Sequence, residues 1–293
     1  MNPYLQSTLL GIVEGLTEFL PVSSTAHLRI AEALMKIPLT DAYWIMYTIV
    51  IQIGAILALC LLFLVRIVDF FRTFPHGENG DRTWYNHPIT LTFVAFACTS
   101  GPALALRKWS EKNLGSLTAM ALALLIGGVA MWIVDAWSDR HDPETRDVEQ
   151  MNLIQAIWIG LCQTLSAIFP GTSRSMSTIA AGQMVDMNRP AALEFSFLLC
   201  IPTMIAATGW DFVKEIHKSK AAGAAGIAAA HVVMNPERWG VLIIGTVVSF
   251  VVALGVVEWF LFWVRKHGFV PFAVYRILLG GWLLLWGAKF IGG

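Results

Sequence analysis

The amino-acid sequence predicts an all-α, polytopic membrane protein that crosses the bilayer six times. The first observation is composition, because 56% of the 293 residues are hydrophobic and only 14% are charged, whereas soluble domains average about 45 to 50% and about 25%. The second is a set of six long apolar segments. The third is a pair of apolar segments interrupted by polar loops, which predict two re-entrant helix-loop-helix pairs in addition to the six transmembrane helices.

Six apolar segments have close to the length of about 20 residues that a helix needs to cross a bilayer core of about 30 Å. They lie at about 43–65, 88–106, 117–137, 193–210, 239–263 and 271–290.

Glu14 interrupts the apolar core that a signal peptide would need, so the N-terminal segment is expected to be retained. Twenty basic and twenty acidic side chains balance, which argues against a basic patch and a nucleic-acid partner. Lysine and arginine are spread too evenly to predict the membrane orientation.

Two further apolar segments, at about 4–37 and 151–190, are interrupted by FLPVSSTAH and IFPGTSRSMS. Pro21 and Pro170 remove a backbone donor and disfavour helix before them. The expected geometry is helix, loop, helix, with the chain entering and leaving on the same side. Non-helical backbone is tolerated at membrane depth only beside protein or a water-filled cavity, so each break predicts a cavity.

An offset of 149 residues aligns GIVEGLTEFLPVSS (Gly11–Ser24) with GLCQTLSAIFPGTS (Gly160–Ser173). Three apolar segments follow each copy, and an odd number of crossings turns the second copy upside down, which predicts an inverted-topology repeat. The single membrane domain, 1–293, would then consist of a first repeat at 1–137 and a second repeat at 151–291.

The first break combines two carboxylates with hydroxyl groups and an imidazole. Glu14 and Glu18 are four residues apart and therefore share a helix face, and Ser23, Ser24 and His27 follow. Paired carboxylates repel unless they are protonated or bridged by a cation, and oxygen ligands suit Mg²⁺ or Ca²⁺ completed by phosphate oxygens and waters. The pattern predicts a divalent cation at this pair.

The second break contains groups that bind phosphate. Gly171 leads into a helix N-terminus, where N–H groups attract an anion, and Arg174 can hold phosphate through two parallel hydrogen bonds. Hydroxyl groups surround this arginine, at Ser173, Ser175, Ser177 and Thr178. Alone, the loop is also explained as a capped helix start with a snorkelling arginine. The alignment places Glu18 opposite Ala167 and Arg174 opposite Thr25, so acid and base lie in different loops and predict one composite, asymmetric site.

Taken together, the two loops predict hydrolysis of a phosphoanhydride, in which positioning and charge neutralisation dominate. Ser24 could attack the terminal phosphorus while His27 or Glu18 takes its proton, or one of those two groups could activate water. The sequence leaves these routes open. The alternative function is a polyprenyl-phosphate flippase or transporter using the same cavity, because inverted repeats with broken helices are a transporter architecture. A passive carrier would not need a carboxylate pair beside a serine and a histidine.

The motifs EGLTEFLPVSSTAH (Glu14–His27) and PGTSRS (Pro170–Ser175) closely resemble the two signature loops of the undecaprenyl-diphosphate phosphatase (bacitracin resistance protein) family. The likeness spans the whole chain and includes the stretches IVIQIGAILA, LEFSFLLCIPTM and FVPFAVYRIL. The resemblance implies hydrolysis of undecaprenyl diphosphate to undecaprenyl phosphate and inorganic phosphate with a divalent cation. It also implies recycling of this lipid carrier for peptidoglycan synthesis, resistance to bacitracin, and a multi-pass protein of the bacterial inner membrane whose active site faces the periplasm.

By motif position, the resemblance implies catalytic roles for Ser24, Glu18, His27 and Arg174, phosphate binding by Ser23, Ser173, Arg174, Ser175 and Thr178, and metal binding by Glu14 and Glu18. In that family the second of the paired serines, here Ser24, is the favoured nucleophile. The expected partners are the lipid diphosphate and membrane lipids, with a homodimer as an option.

Ala26 and Met176 stand where the family usually has glycine. Neither change removes a polar group, so altered kinetics or lipid preference is expected rather than lost activity. Arg276, within the last apolar segment, is expected to be paired or interfacial.

Overall fold

The computed structural model describes residues 1–106, 116–224 and 234–291. Within these residues the chain forms eleven α-helices and one short 3₁₀-helix, Val148–Gln150, and no named strand. The α-helices are α1 (Pro3–Thr17), α2 (Ser24–Leu34), α3 (Ala42–Leu62), α4 (Leu64–Thr73), α5 (Pro88–Ala105), α6 (Leu117–Ser138), α7 (Leu153–Ile168), α8 (Arg174–Met184), α9 (Arg189–Ala224), α10 (Pro236–Lys266) and α11 (Val270–Ile291). The all-α prediction is confirmed.

Six of these helices are long and apolar enough to cross a membrane, judged by length and composition. The six spans are Ala42–Leu62, Pro88–Ala105, Leu117–Ser138, Arg189–Lys214, Pro236–Lys266 and Val270–Gly287. Each coincides with one of the six predicted segments. The protein is therefore a multi-pass membrane protein, as its composition predicts.

The two predicted helix breaks are present. The first separates α1 from α2 between Thr17 and Ser24, and the second separates α7 from α8 between Ile168 and Arg174. The two helices of each pair pack against each other. The helix-loop-helix form is thus confirmed, while entry and exit on one side of the bilayer and the inverted relation of the repeats stay predictions.

Close helix packing fixes the position of α1 against α10. A Cβ atom added at Gly11 would lie 2.6 Å from the carbonyl oxygen of Gly245, and one added at Gly15 would lie 2.7 Å from that of Ser249. Small residues at such contacts let helix backbones approach each other in membrane proteins. Because Glu14 lies between the two glycines of α1, this contact also fixes the helix that carries it.

A buried carboxylate ties four parts of the chain together near the end of α6. Asp135 accepts hydrogen bonds from Arg189 Nε at 2.8 Å, from Gln183 Nε2 at 2.9 Å and from the backbone N–H of Phe269 at 2.8 Å. It is fully buried. These bonds satisfy both carboxylate oxygens, which a buried charge requires, and they join α6 to α8, to α9 and to the turn before α11.

Candidate active site

The first break places Glu18 and Ser24 in direct contact. Glu18 is the residue after α1, and Ser24 is the first residue of α2. The Ser24 hydroxyl donates a hydrogen bond of 2.6 Å to Glu18 Oε2. Its length lies within the range of O–H···O hydrogen bonds. A carboxylate in this position can take the serine proton.

Both breaks end in a serine with an unusual backbone conformation. Ser23 precedes α2 with φ of 76°, and Ser173 precedes α8 with φ of 69°. Positive φ is uncommon outside glycine, and such residues concentrate at functional sites. Each hydroxyl accepts a hydrogen bond of 3.4 Å from an N–H group of the following helix, that of Ala26 or Met176. The two serines therefore cap the helices that begin at the site.

The positions of the two capping serines change the offset between the two repeats by one residue. An offset of 149 pairs Ser24 with Ser173, but the helix caps pair Ser23 with Ser173, which are 150 residues apart. The second loop is one residue longer between its proline and its cap, and it contains Gly171 with φ of 93°. Helix α2 therefore begins with Ser24, whereas α8 begins with Arg174 at the equivalent position.

The two breaks meet, as the composite-site hypothesis requires. Arg174 Nη2 lies 3.3 Å from Glu18 Oε1, and the side chains are only 12% and 10% exposed. Ser175 Oγ donates a hydrogen bond of 3.0 Å to the carbonyl oxygen of Leu20, two residues after Glu18. Glu18 therefore contacts the serine of its own loop and the guanidinium of the other loop at the same time.

Glu14 and Arg174 carry buried polar atoms that form no hydrogen bond within the described residues. Glu14 is fully buried, and neither of its carboxylate oxygens accepts a hydrogen bond from a described group; Arg174 Nε and Nη1 are likewise buried and donate to no group in the described part of the chain. Buried polar groups are nearly always bonded. Unused acceptors on Glu14 fit a cation, and unused donors on Arg174 fit an anion.

The donor set fits a hard cation that is shared with substrate. No cluster of three or more His, Cys, Asp or Glu side chains able to hold a metal occurs in the part of the chain that is described. Mg²⁺ is commonly bound through one or two carboxylates, with phosphate oxygens and waters completing its shell. Neither oxygen of Glu14 accepts a hydrogen bond from the described part of the chain, whereas Glu18 already contacts Ser24 and Arg174. Glu14 is thus the better candidate for the first ligand.

His27 contacts neither Ser24 nor Glu18 through a hydrogen bond. Its Nδ1 donates to the Ser23 carbonyl oxygen at 2.7 Å, and its Nε2 lies 2.6 Å from the hydroxyl of Tyr275. The carbonyl only accepts, so Nδ1 carries a proton. The Tyr275 ring also stacks on the imidazole, with 5.6 Å between ring centres. Of the two proposed acceptors for the serine proton, only Glu18 is in contact with it.

The remaining predicted phosphate-binding groups lie in or just beyond the second break. The hydroxyls of Ser173 and Ser175 are 3.0 Å apart. Thr178 is buried one turn into α8, and its hydroxyl contacts the carbonyl oxygen of Arg174 at 3.0 Å and the Ser196 hydroxyl at 2.6 Å. Thr178 therefore braces the start of α8 against α9, a contact that the sequence pattern does not indicate.

Helix α11 contributes two residues that sequence reasoning did not place in the site, Tyr275 and Arg276. The prediction that Arg276 is paired or interfacial is wrong, because its side chain is fully buried and donates to backbone carbonyl oxygens, including that of Pro21 at 3.1 Å and that of Thr172 at 2.9 Å. The only sequence signal was that FVPFAVYRIL belongs to the family resemblance.

Comparison with known proteins bears on the family to which the chain belongs. The family model described as bacitracin resistance protein BacA matches residues 7–282. An undecaprenyl-diphosphatase of Koribacter versatilis is 57% identical over 291 residues, covering 99% of this chain and 100% of the relative. Undecaprenyl-diphosphatases of Caldanaerobacter subterraneus and Rhizobium etli are each 38% identical over 96% of this chain, covering 94% and 96% of those relatives. With the family model and these relatives spanning nearly its whole length, the chain belongs to the bacitracin resistance protein BacA family.

Proposed function

We propose that this chain hydrolyses undecaprenyl diphosphate to undecaprenyl phosphate and inorganic phosphate at the site formed by the two breaks. The observation that carries the proposal is the double contact of Glu18, which accepts the Ser24 hydroxyl and pairs with Arg174. The names of the relatives support the same substrate. The reaction would recycle the lipid carrier for peptidoglycan synthesis and so confer resistance to bacitracin.

In the proposed reaction the Ser24 oxygen attacks the terminal phosphorus while its proton passes to Glu18 Oε2. A bond from Ser24 Oγ to phosphorus forms, and the bond from phosphorus to the bridging oxygen breaks, so that undecaprenyl phosphate leaves. Glu18 passes this proton to the departing phosphate oxygen. Water then attacks the phosphoserine and gives a proton to Glu18, the bond from phosphorus to Ser24 Oγ breaks, and Glu18 returns the proton to Ser24 Oγ as inorganic phosphate is released. Serine activated by an adjacent base is a general arrangement for such covalent catalysis.

Arg174 would hold the terminal phosphate through Nε and Nη1, which donate no hydrogen bond within the described residues. A guanidinium binds phosphate oxygens through parallel N–H groups and offsets the charge that develops on them. The hydroxyls of Ser173 and Ser175, with Ser23 at the other cap, would complete the phosphate contacts. His27 would act through Tyr275, because among the described side chains the Tyr275 hydroxyl alone is hydrogen bonded to the imidazole.

A divalent cation, Mg²⁺ or Ca²⁺, would be held by Glu14 and shared with Glu18. When bound, such an ion neutralises charge on the diphosphate and orients it. The unbonded, buried oxygens of Glu14 support this assignment. Removal of the ion with a chelator should abolish phosphate release, and Mg²⁺ or Ca²⁺ should restore it.

The flippase alternative is not favoured. A protein that only moves a polyprenyl phosphate has no use for a carboxylate hydrogen bonded to a serine hydroxyl, which is the contact between Glu18 and Ser24. The test is phosphate release from undecaprenyl diphosphate by the purified protein. Activity in the wild type that is lost in Ser24→Ala and Arg174→Ala supports hydrolysis at this site. Arg146→Ala is the matched control, because the Arg146 side chain is exposed and forms its ion pair with the exposed Asp142.

We also propose that the protein resides in the bacterial inner membrane with its site open to the periplasm. The proposal follows from the family resemblance, since hydrolysis of a lipid carrier that has delivered its cargo belongs on that side. Right-side-out membrane vesicles should then release phosphate from added diphosphate without detergent. Release only by inverted vesicles would contradict the orientation.

A further inference from the structure

The side chain of Arg276 is the largest that is fully buried in the described part of the chain. A buried guanidinium is costly unless its donors are satisfied. No described acidic side chain forms an ion pair with it, and its partners are four backbone carbonyl oxygens instead. Nη1 donates to Pro21 at 3.1 Å, and Nη2 donates to Gly171 at 3.1 Å, to Thr172 at 2.9 Å and to Ala123 at 3.2 Å.

These carbonyls belong to the two breaks and to α6. Pro21 lies in the first break, and Gly171 and Thr172 lie in the second, where helical hydrogen bonding is interrupted. Unpaired carbonyls at such places need a donor from elsewhere. A guanidinium is rigid and planar, so groups bonded to it are held in a fixed relation. Arg276 therefore sets the distance between the two loops that carry Ser24 and Arg174.

The space for this guanidinium is provided by a glycine of α6. A Cβ atom added at Gly127 would lie 2.5 Å from Arg276 Nη2 and 2.7 Å from Met176 Cε. Contacts of this length require a neighbour to move. The methionine end is flexible, whereas Nη2 is held by three carbonyl oxygens. A side chain at position 127 would therefore press on the guanidinium.

We propose that Arg276 is a positioning residue for phosphoryl transfer, which fastens the two breaks at the spacing that the reaction needs, and that Gly127 is required to make room for it. The inference rests on the proposed function. It assigns Arg276 no contact with substrate, so its loss should lower kcat more than it raises KM. Reaction rates are sensitive to such placement, and a displacement of about 1 Å can cost about 100-fold.

Arg276→Lys tests the planar geometry of the guanidinium separately from its positive charge. Lysine keeps the positive charge but has a single flexible ammonium group in place of the planar fork, so it cannot bridge the same carbonyls. We expect kcat per folded molecule to fall about 100-fold, with KM within about threefold of the wild type. Arg146→Lys, at an exposed ion pair, is the control and should match the wild type.

Gly127→Ala tests the same inference without changing the arginine. It should lower kcat about tenfold or more, whereas Gly281→Ala, where an added Cβ meets no atom within 4 Å, should leave kcat unchanged. Met176→Ala added to Gly127→Ala removes the other crowded neighbour. If pressure on Arg276 causes the loss, the double variant should stay impaired; recovery of kcat would assign the effect to Met176 and overturn the role of Gly127.

Phosphate release from undecaprenyl diphosphate is measured per folded molecule, with folding followed by thermal melting and size-exclusion chromatography. Absence of release by the wild type would refute the proposed function itself. Release by the wild type, together with unchanged kcat in the folded fraction of both Arg276→Lys and Gly127→Ala, would overturn only the positioning role and leave Arg276 as a group needed for folding.

Discussion

Replacement of Glu18 by glutamine tests the proposed proton acceptor with the smallest change in shape. The carboxylate accepts the Ser24 hydroxyl at 2.6 Å through Oε2 and pairs with Arg174 at 3.3 Å through Oε1. Glutamine has one carbonyl oxygen and one NH₂ group, so it can keep the contact with Arg174 but then turns a donor toward Ser24. The serine proton loses its acceptor.

The expected loss is in kcat. A positioned general base contributes about 10² to 10⁴ in rate, which corresponds to about 3 to 5 kcal/mol of activation free energy. We expect Glu18→Gln to lower kcat by about 1,000-fold within that range. At saturating Mg²⁺, which offsets the loss of one proposed cation ligand, KM should not rise, because the change removes a negative charge beside the bound diphosphate and leaves Arg174 in place.

The assay is release of inorganic phosphate from undecaprenyl diphosphate in detergent or vesicles, with kcat and KM determined separately. Glu144→Gln, at an exposed position outside both breaks, serves as the matched control for loss of one acidic group. A kcat for Glu18→Gln within about tenfold of the wild type would be too small a loss for a general base and would refute the assignment. His27 or another group would then have to accept the proton.

Three further substitutions have measurable consequences. Glu14→Gln removes one of two carboxylates offered to the cation, so half-maximal phosphate release should need at least about tenfold more Mg²⁺; an unchanged requirement would exclude Glu14 as a ligand. Tyr275→Phe deletes only the hydroxyl that contacts His27 and should lower kcat about fivefold, the equivalent of one hydrogen bond of about 1 kcal/mol, without lowering the melting temperature. Asp135→Asn removes the buried charge that Arg189 contacts, while the pair of Arg189 with Asp139 remains, and it turns a donor toward a neighbouring donor. It should destabilise the protein by about 1 to 3 kcal/mol, seen as a lower melting temperature; an unchanged melting temperature would show that this network is dispensable.

The membrane spans were predictable because the length of each apolar segment can be counted directly in the sequence. The fourth predicted span, 193–210, corresponds to Arg189–Lys214, so even the boundaries differ by only one helical turn. Helix α4 was missed, since it follows α3 after a single residue and its mixture of apolar and charged side chains resembles a loop end. Its Arg66 forms an ion pair of 2.8 Å with Glu194 of α9, a partner that no local pattern indicates.

The meeting of Glu18 and Arg174 was predictable because each loop held only half of a chemical requirement. Acidic side chains in one break and a basic side chain in the other are stabilised within a membrane when their opposite charges are paired. Arg276 was not predictable in the same way, because an arginine in an apolar helix has the same sequence signature whether it reaches the bilayer surface or lies at the centre. Its partners are main-chain oxygens, which every residue possesses, so no residue type identifies them.

Because α11 follows α1 to α10 in the chain, the site can be completed only after α11 has been synthesised. Arg276 reaches Pro21 across 255 residues and Gly171 across 105. A nascent chain that ends before α11 contains the residues of both serine-capped turns but lacks the guanidinium that donates to them. We therefore expect a product arrested before α11 to turn over lipid far more slowly than the full chain.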